Sequence, residues 1–420
     1  MKIKTNSLLL WGIVLCFMLD IGYQYLPVFK HLYLGYSLQI EATLCVGLAA
    51  WCWLDLRKQK IMRPYIKRIN GIVAITLLLL LIEFAYTVQY TNLKFADVWN
   101  NFLPYLKILL VYPIIYLIEI YGEDKIVKKI IIVTMIVLVY STIVAVIYNL
   151  TGNNIDSNII TRDKAQRFGL VRLSSISLTW ICVLFSCTKA LHEKEKRVRW
   201  RNLCVTIFGF LFVFFINQGR ACFMAVMVML ISMYLFMKRR SKKQIAIYTA
   251  FMITIILMGY NGVFSGFLET FSADYSGSFT ANTTTIRLLQ LETYNNMLQQ
   301  MPLSYWLGLG LRNTVEGYNL AGERISYYFL DTGLLGDFFN MGIVLIVIYV
   351  YTVWRLIAYI VSYRADKNAG YSFSVGALSF LIVGAAGYSI LPFNRIIALP
   401  IIWAFTEYYH VCERKKYKND

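Results

Sequence analysis

Residues 130–148 read IIIVTMIVLVYSTIVAVIY, nineteen positions without a charge. A run of about 18 or more such residues is long enough to cross the hydrocarbon core as a helix, and lipid offers the backbone no hydrogen-bond partner but itself. Runs of this kind recur along all 420 residues, of which 58% are hydrophobic and 15% charged. A soluble domain carries about 25% charged residues. The chain therefore has too little polar surface to cover itself in water. Spans and short loops use up its length, so a single integral membrane domain over 1–420 is expected, with no room for a separate soluble domain.

Apolar runs and their charged breaks place spans near 7–27, 33–55, 70–90, 102–120, 127–149, 171–188, 202–217, 221–237, 245–263, 327–354, 372–390 and 394–409. Lys and Arg are retained in cytoplasmic loops, which tests the layout. The basic segments are 57–68, 125–129, 189–201, 238–243 and 355–367, and they fall on alternate connections. With Lys2, Lys4 and the four basic residues after Cys412, they hold 29 of the 41 basic residues. Fusing the seventh and eighth spans would put 238–243 on the opposite side. The expected fold class is all-α: a polytopic transmembrane bundle of about twelve spans in a cell membrane, with both termini cytoplasmic. The first apolar run lacks a small-x-small cleavage site, and Leu15 before Cys16 is too bulky for a lipoprotein site, so it is read as a retained helix.

The formal charge of +18 does not imply nucleic acid, because the charges lie in short segments between spans. Cys16, Cys45, Cys52, Cys182, Cys187, Cys204 and Cys222 sit in apolar runs without a CxxC pair and read as small apolar residues. His31, His192 and His410 lie far apart with no metal-ligand spacing, so neither metal nor cofactor is expected. No internal repeat is visible, unlike the transporters built from repeats.

Two connections assigned to the outside are long. One, about 151–170, carries Asp156, Arg162, Asp163, Lys164 and Arg167. The other, about 264–326, is the segment with room for structure outside the membrane. In it the hydroxyls of 283–285 precede IRLLQLETYNNMLQQM, and Pro302 follows. This predicts a short amphipathic helix at the outer surface, with Ile286, Leu288, Leu289, Leu291 and Leu298 on its apolar side. Packing on the bundle and walling a substrate cleft are both open to it. Gly308 and Gly310 in GLGLRN lack the third glycine and the strand-to-helix setting of a nucleotide loop, and read as turn residues.

Arginines collect on the predicted outer side: Arg162, Arg167, Arg172, Arg220, Arg287, Arg312, Arg324 and Arg395. The planar guanidinium holds phosphate in a fixed, two-bond geometry, so an anionic ligand is the natural inference. Arg162, Arg324 and Arg395 serve equally well as headgroup anchors. Arg220 closes a tight turn between two apolar helices, where lipid exposure is expensive, and should face the protein interior or a wet cavity. Asp331 opens the tenth span in DTGLLGDFFNMG, eleven residues before Gly342, so a continuous helix would put both on one face with Leu335 and Phe338. There it is a general base or a carboxylate stabilised by the helix dipole. Glu292, Glu316, Glu323 and Asp337 are further carboxylates in the region.

Three motifs, NQGRACFMA, TTTIRLLQLETYNNMLQQMPLSYWLGLGL and DTGLLGDFFNMGIV, occur in this order on the charge-derived topology. In order and placement the chain resembles the O-antigen polymerase and ligase superfamily, the Wzy-type proteins. The resemblance implies a metal-independent, inverting glycosyltransferase that polymerises oligosaccharide repeat units carried on a polyprenyl diphosphate. Membrane lipids, a chain-length regulator and a flippase are the implied partners. Arg220 and Arg287 match the family arginines, with Arg167, Arg172 and Arg312 as further binding candidates and Asp331 as catalytic base. Ligases of the superfamily carry a histidine where this chain has Asp331, which favours a polymerase. The rival expectation is a transporter or flippase using Asp20, Glu41, Glu83 and Lys107; a membrane scaffold is the third.

Overall fold

The computed structural model describes residues 2–22, 37–58, 63–156, 170–173, 176–236, 283–318, 324–364, 368–392 and 395–419. It is mostly helical, 81% helix and 4% strand. Among the described residues, five helical stretches are long and apolar enough to cross a membrane: Lys67–Tyr90, Phe95–Tyr121, Glu123–Thr151, Lys196–Asn217 and Leu334–Ser362. Shorter apolar helices cover Asn6–Asp20, Ala221–Leu235 and Ala369–Gly384.

In chain order the helices are α1 (Lys2–Gly22), α2 (Ser37–Lys58), α3 (Arg63–Tyr90), α4 (Phe95–Phe102), a 3-10 stretch (Leu103–Leu110), α5 (Val111–Tyr121) and α6 (Glu123–Thr151). Then come α7 (Thr179–His192), α8 (Lys196–Leu211) ending in a π turn (Phe212–Asn217), and α9 (Arg220–Leu235). After the segment 237–282, which lies outside the described residues and contains the expected span 245–263, come α10 (Thr283–Gln300) and α11 (Ser304–Leu307). Strands β1 (Thr314–Tyr318) and β2 (Arg324–Tyr328) follow, then a 3-10 turn (Phe329–Thr332), α12 (Leu334–Ser362), α13 (Ala369–Gly384) and α14 (Ala398–Asn419).

The interior holds one continuous apolar core shared by α1 to α9 and α12 to α14. Trp180 of α7 stacks on Phe380 of α13 with centroids 4.0 Å apart. A second, smaller core lies between α10, the hairpin and the start of α12, built on Tyr294, Leu298, Leu309, Val315, Tyr327 and Phe329.

Polar links between helices gather at two separate ends of the bundle. At one, Glu407 of α14 accepts from Arg355 Nε of α12 at 2.7 Å and pairs with Arg68 of α3 at 3.5 Å. Lys189 of α7 reaches Glu123 at 2.6 Å and Asp124, both on α6. Tyr116 of α5 donates to Asp55 of α2 at 2.6 Å. At the other end Arg172 meets Asn217 and 308–312 meets α3, α4 and α12, while Lys107 meets Asp20 and Glu41 in the interior.

The structure corrects several expectations. The helical bundle carries a small addition that was not expected, Thr314–Tyr318 paired antiparallel with Arg324–Tyr328, with Val315 opposite Tyr327. Alternation puts Val315 and Gly317 inward and Glu316 and Tyr318 outward. The sixth expected span starts as helix only at Thr179, and the residues before it are held instead by Leu173 N–H donating to Ile216 C=O at 2.9 Å. The tenth does not begin at 327: strand and 3-10 turn precede α12, and α12 is itself broken at Met341 and Gly342. The helix expected in 264–326 is present as α10, yet Leu288 is 60% exposed, and the buried positions are Gln290, Tyr294 and Leu298 at four-residue spacing.

Candidate functional site

The NQG turn that precedes Arg220 is tightly built. Asn217 closes the π turn, its side-chain oxygen accepts from Gly219 N–H at 3.0 Å, and Gln218 has a left-handed backbone with φ 52°. That region is uncommon for a residue with a Cβ; here Gln218 N–H bonds Val213 C=O at 3.0 Å, and its amide nitrogen donates to Phe215 C=O at 2.8 Å. Arg172 Nε donates to Asn217 C=O at 3.3 Å, so Arg172 and the N-terminus of α9 lie side by side. The Arg220 side chain lies outside the described residues.

The turn after α13 connects this point to the start of α12. Ala385 C=O accepts from Leu334 N–H at 2.8 Å. Gly333 (φ +62°) packs so closely here that a Cβ would sit 2.4 Å from Ala385 O and 2.6 Å from Gly387 N. A Cβ on Gly387 would in turn lie 3.0 Å from Ala221 Cβ on α9. One turn therefore touches both the Arg220 helix start and the segment carrying Asp331. The backbone of Asp331 is in the 3-10 turn, and its side chain lies outside the described residues. The expected shared helical face with Gly342 does not exist, because Gly333 and Gly342 each break the helix between them.

From the other side α10 meets the same turn. Gln290 donates to Tyr328 C=O at 2.7 Å, and Tyr294 stacks on Phe329 with centroids 4.5 Å apart. Arg287 is exposed and lies three residues before Gln290, about 4.5 Å along the helix axis. A series of contacts thus links the segments of Arg172, Arg220, Asp331 and Arg287, each to the next.

Arg312 arrives by a different route. Residues 308–310 cross the break in α12, with Leu309 N–H on Phe339 C=O at 2.8 Å and Gly310 N–H on Asn340 C=O at 2.9 Å. Gly308 and Gly310 (φ +72° and +89°) are crossing points, not the simple turn expected from sequence: a Cβ on Gly308 would be 2.4 Å from Asn340 O. Tyr86 OH donates to Gly308 C=O at 3.1 Å and Asn101 to Leu311 C=O at 2.9 Å, locking the segment onto α3 and α4. Arg312 follows, facing Tyr86, and burial pushes its guanidinium below the ordinary value. Its Nε has no hydrogen-bond partner among the described residues. Arg162 and Arg167 lie outside the described residues. Arg324 pairs with Glu316 across the hairpin, a structural role.

Two features were underweighted or absent in the sequence reading. Asp337 is fully buried one turn into α12, facing Ser389 and Arg395, with Oδ2 unpartnered among the described residues. Arg395 donates to Ser389 C=O at 3.2 Å and lies 3.9 Å over the Tyr388 ring, so it is held by protein rather than free to anchor lipid. Beside the Asp331 turn opens an apolar cleft of about 900 Å³ between α11, the start of α12 and the end of α13. Trp306, Leu335, Phe338, Ile382 and Ala385 line it, and Thr332, next to Asp331, sits on its wall. No sequence pattern announces it, because its walls are distant in the chain. Among the described residues no group of three or more His, Cys, Asp or Glu could hold a metal ion.

The chain matches no protein-family model and no curated protein.

Proposed function

We propose that this chain is a membrane glycosyltransferase that joins polyprenyl-diphosphate-linked oligosaccharide repeat units into a surface polysaccharide. The observation that carries the proposal is the 900 Å³ apolar cleft opening beside the Asp331 turn, to which a series of contacts links the segments of Arg172, Arg220 and Arg287. An apolar cleft beside segments that carry arginines suits the two-part character of a lipid diphosphate, with the isoprenoid in the cleft and the diphosphate on Arg220 and Arg287.

In the reaction, an acceptor sugar hydroxyl attacks the anomeric carbon of the donor. The new C–O bond forms as the bond to the diphosphate oxygen breaks, the lipid diphosphate leaves with the electron pair, and the hydroxyl proton passes to Asp331. Arg220 and Arg287 stabilise the charge growing on the leaving group, the largest electrostatic demand of the step. Inversion and metal independence are what the superfamily resemblance implies.

Twelve spans with both ends cytoplasmic and the loop of about 264–326 outside complete the proposal. The partition of polar links supports this sidedness. Among the described residues, Arg68, Arg355 and Glu407 pair with one another, as do Lys189, Glu123 and Asp124, all at segments assigned to the inside by the Lys and Arg count, while Arg324 pairs with Glu316 within the loop assigned to the outside.

A transporter or flippase of the same lipid-linked unit is the second reading. It is favoured by one observation, that Asp20, Glu41 and Lys107 form a single buried cluster. The assay that separates the two is purified protein in detergent with lipid-linked repeat units and no membrane gradient. Glycan lengthening supports the polymerase; unchanged substrate refutes it.

A further inference from the structure

The side chains of Lys107, Asp20 and Glu41 are 5%, 2% and 3% exposed and lie inside the apolar core. They come from three separate elements, the 3-10 stretch, α1 and α2. Lys107 Nζ is 2.5 Å from Asp20 Oδ1 and 3.2 Å from Glu41 Oε2. Ser177 Oγ, from the turn before α7, donates to Asp20 Oδ2 at 2.8 Å. Both Asp20 oxygens are thus engaged. Glu41 Oε1 is buried with no hydrogen-bond partner among the described residues. Among the described residues, the other titratable groups facing the cluster are Cys45, one turn along α2 from Glu41, and Cys16 of α1 against Cys45.

Two carboxylates share one ammonium, so the fully ionised cluster would hold an uncompensated negative charge in a medium that solvates it poorly, an expensive state. A metal cation is opposed by the ammonium already in place. We infer that the Asp20–Lys107–Glu41 cluster is a buried proton-binding site that carries one exchangeable proton on Glu41. Asp20 takes the shorter contact to Lys107 and the Ser177 hydroxyl, which leaves it no free oxygen for the proton. Glu41 has the longer contact and the open oxygen, so the proton costs no existing bond there. The inference does not rest on the polymerase reading and holds equally for a transporter.

The experiment is infrared difference spectroscopy of the full-length protein in lipid vesicles, reading the C=O stretch of protonated carboxyl groups. Wild type minus Glu41→Gln should show one such band, moved to lower frequency in D2O. In an Asp20→Asn background the charges balance without the extra proton, so Glu41 ionises beside Lys107 and the band should be lost from the same difference. Absence of the band from the wild-type difference overturns the inference, as does its persistence in the Asp20→Asn background. Glu41→Gln mimics the protonated acid in shape and charge, so it should insert as the wild type does; failure to insert also counts against a proton there. Loss of glycan lengthening with the band intact would bear on the polymerase alone.

Discussion

Gly342→Ala should detach the segment 304–312 from the bundle. Gly342 has φ +53° and ψ −135°, a combination that glycine alone adopts readily. Forcing a Cβ there stores about 1–3 kcal/mol of backbone strain. The Cβ would also lie 2.1 Å from Trp306 O, a collision of backbone with backbone that rotamers cannot relieve. Moving the two segments apart breaks the Leu309–Phe339 and Gly310–Asn340 hydrogen bonds, at about 1 kcal/mol each. The sum is a destabilisation of about 3–5 kcal/mol. The control is Gly47→Ala in α2, where nothing lies within 4 Å of the added Cβ and helix propensity predicts a gain of about 0.5–1 kcal/mol. Equilibrium unfolding in mixed micelles measures both, and limited proteolysis between 301 and 328 reports detachment directly. A Gly342→Ala protein that unfolds with wild-type stability, its loop still protected, would refute the crossing.

Arg220→Ala, Arg287→Ala and Asp331→Asn should leave the protein inserted and abundant while lowering polymer formation by about 100-fold or more, the scale for losing a transition-state charge contact; normal polymer from Asp331→Asn would end its role as base. Ala386→Leu narrows the cleft and should raise KM for donors on a long polyprenyl chain while leaving short-chain analogues little changed, as read in detergent turnover assays. Glu407→Gln leaves Arg68 and Arg355 facing each other and should cost about 1–3 kcal/mol on the same unfolding measurement, a range held down by the partial exposure of Arg68.

The apolar runs and the ends of α10 were legible because their determinants are local. Uninterrupted hydrophobicity marks the first, and threonines before with a proline after mark the second. The break at Met341 and Gly342 was not, since a glycine in a 29-residue apolar helix reads as helix until Trp306, far away in sequence, is known to press on it. The hairpin escaped for a similar reason. Five alternating residues on each side of 319–323 are a weak signal, and what settles them is Tyr294 and Leu298 of α10 closing a core around Val315 and Tyr327. For the candidate site, charge bookkeeping along the chain singled out Arg172, Arg220 and Arg287 as candidates because arginine on the predicted outer side is anomalous. It gave Asp337 little weight, because a carboxylate inside an apolar run shows neither its burial nor the neighbours Ser389 and Arg395 that the fold supplies.

Several departures from regular helix lie at the end of the bundle that holds the cleft: the non-helical residues before α7, the π turn at 212–217, the Gly342 break and the turn after α13. The 3-10 stretch at 103–110 lies instead midway along Phe95–Tyr121, against α2. At the opposite end α3, α6, α12 and α14 run as helix into paired charges. Hydrocarbon does not tolerate free backbone polar groups, so non-helical backbone at membrane depth persists only where protein covers it or a wet cavity borders it. The crossing of 308–310 covers the Gly342 break, and Arg172 with Asn217 covers the π turn. The breaks at Gly333 and Gly342 are what leave the apolar cleft open between α11, the start of α12 and the end of α13, and the helices packed behind it hold its walls in place.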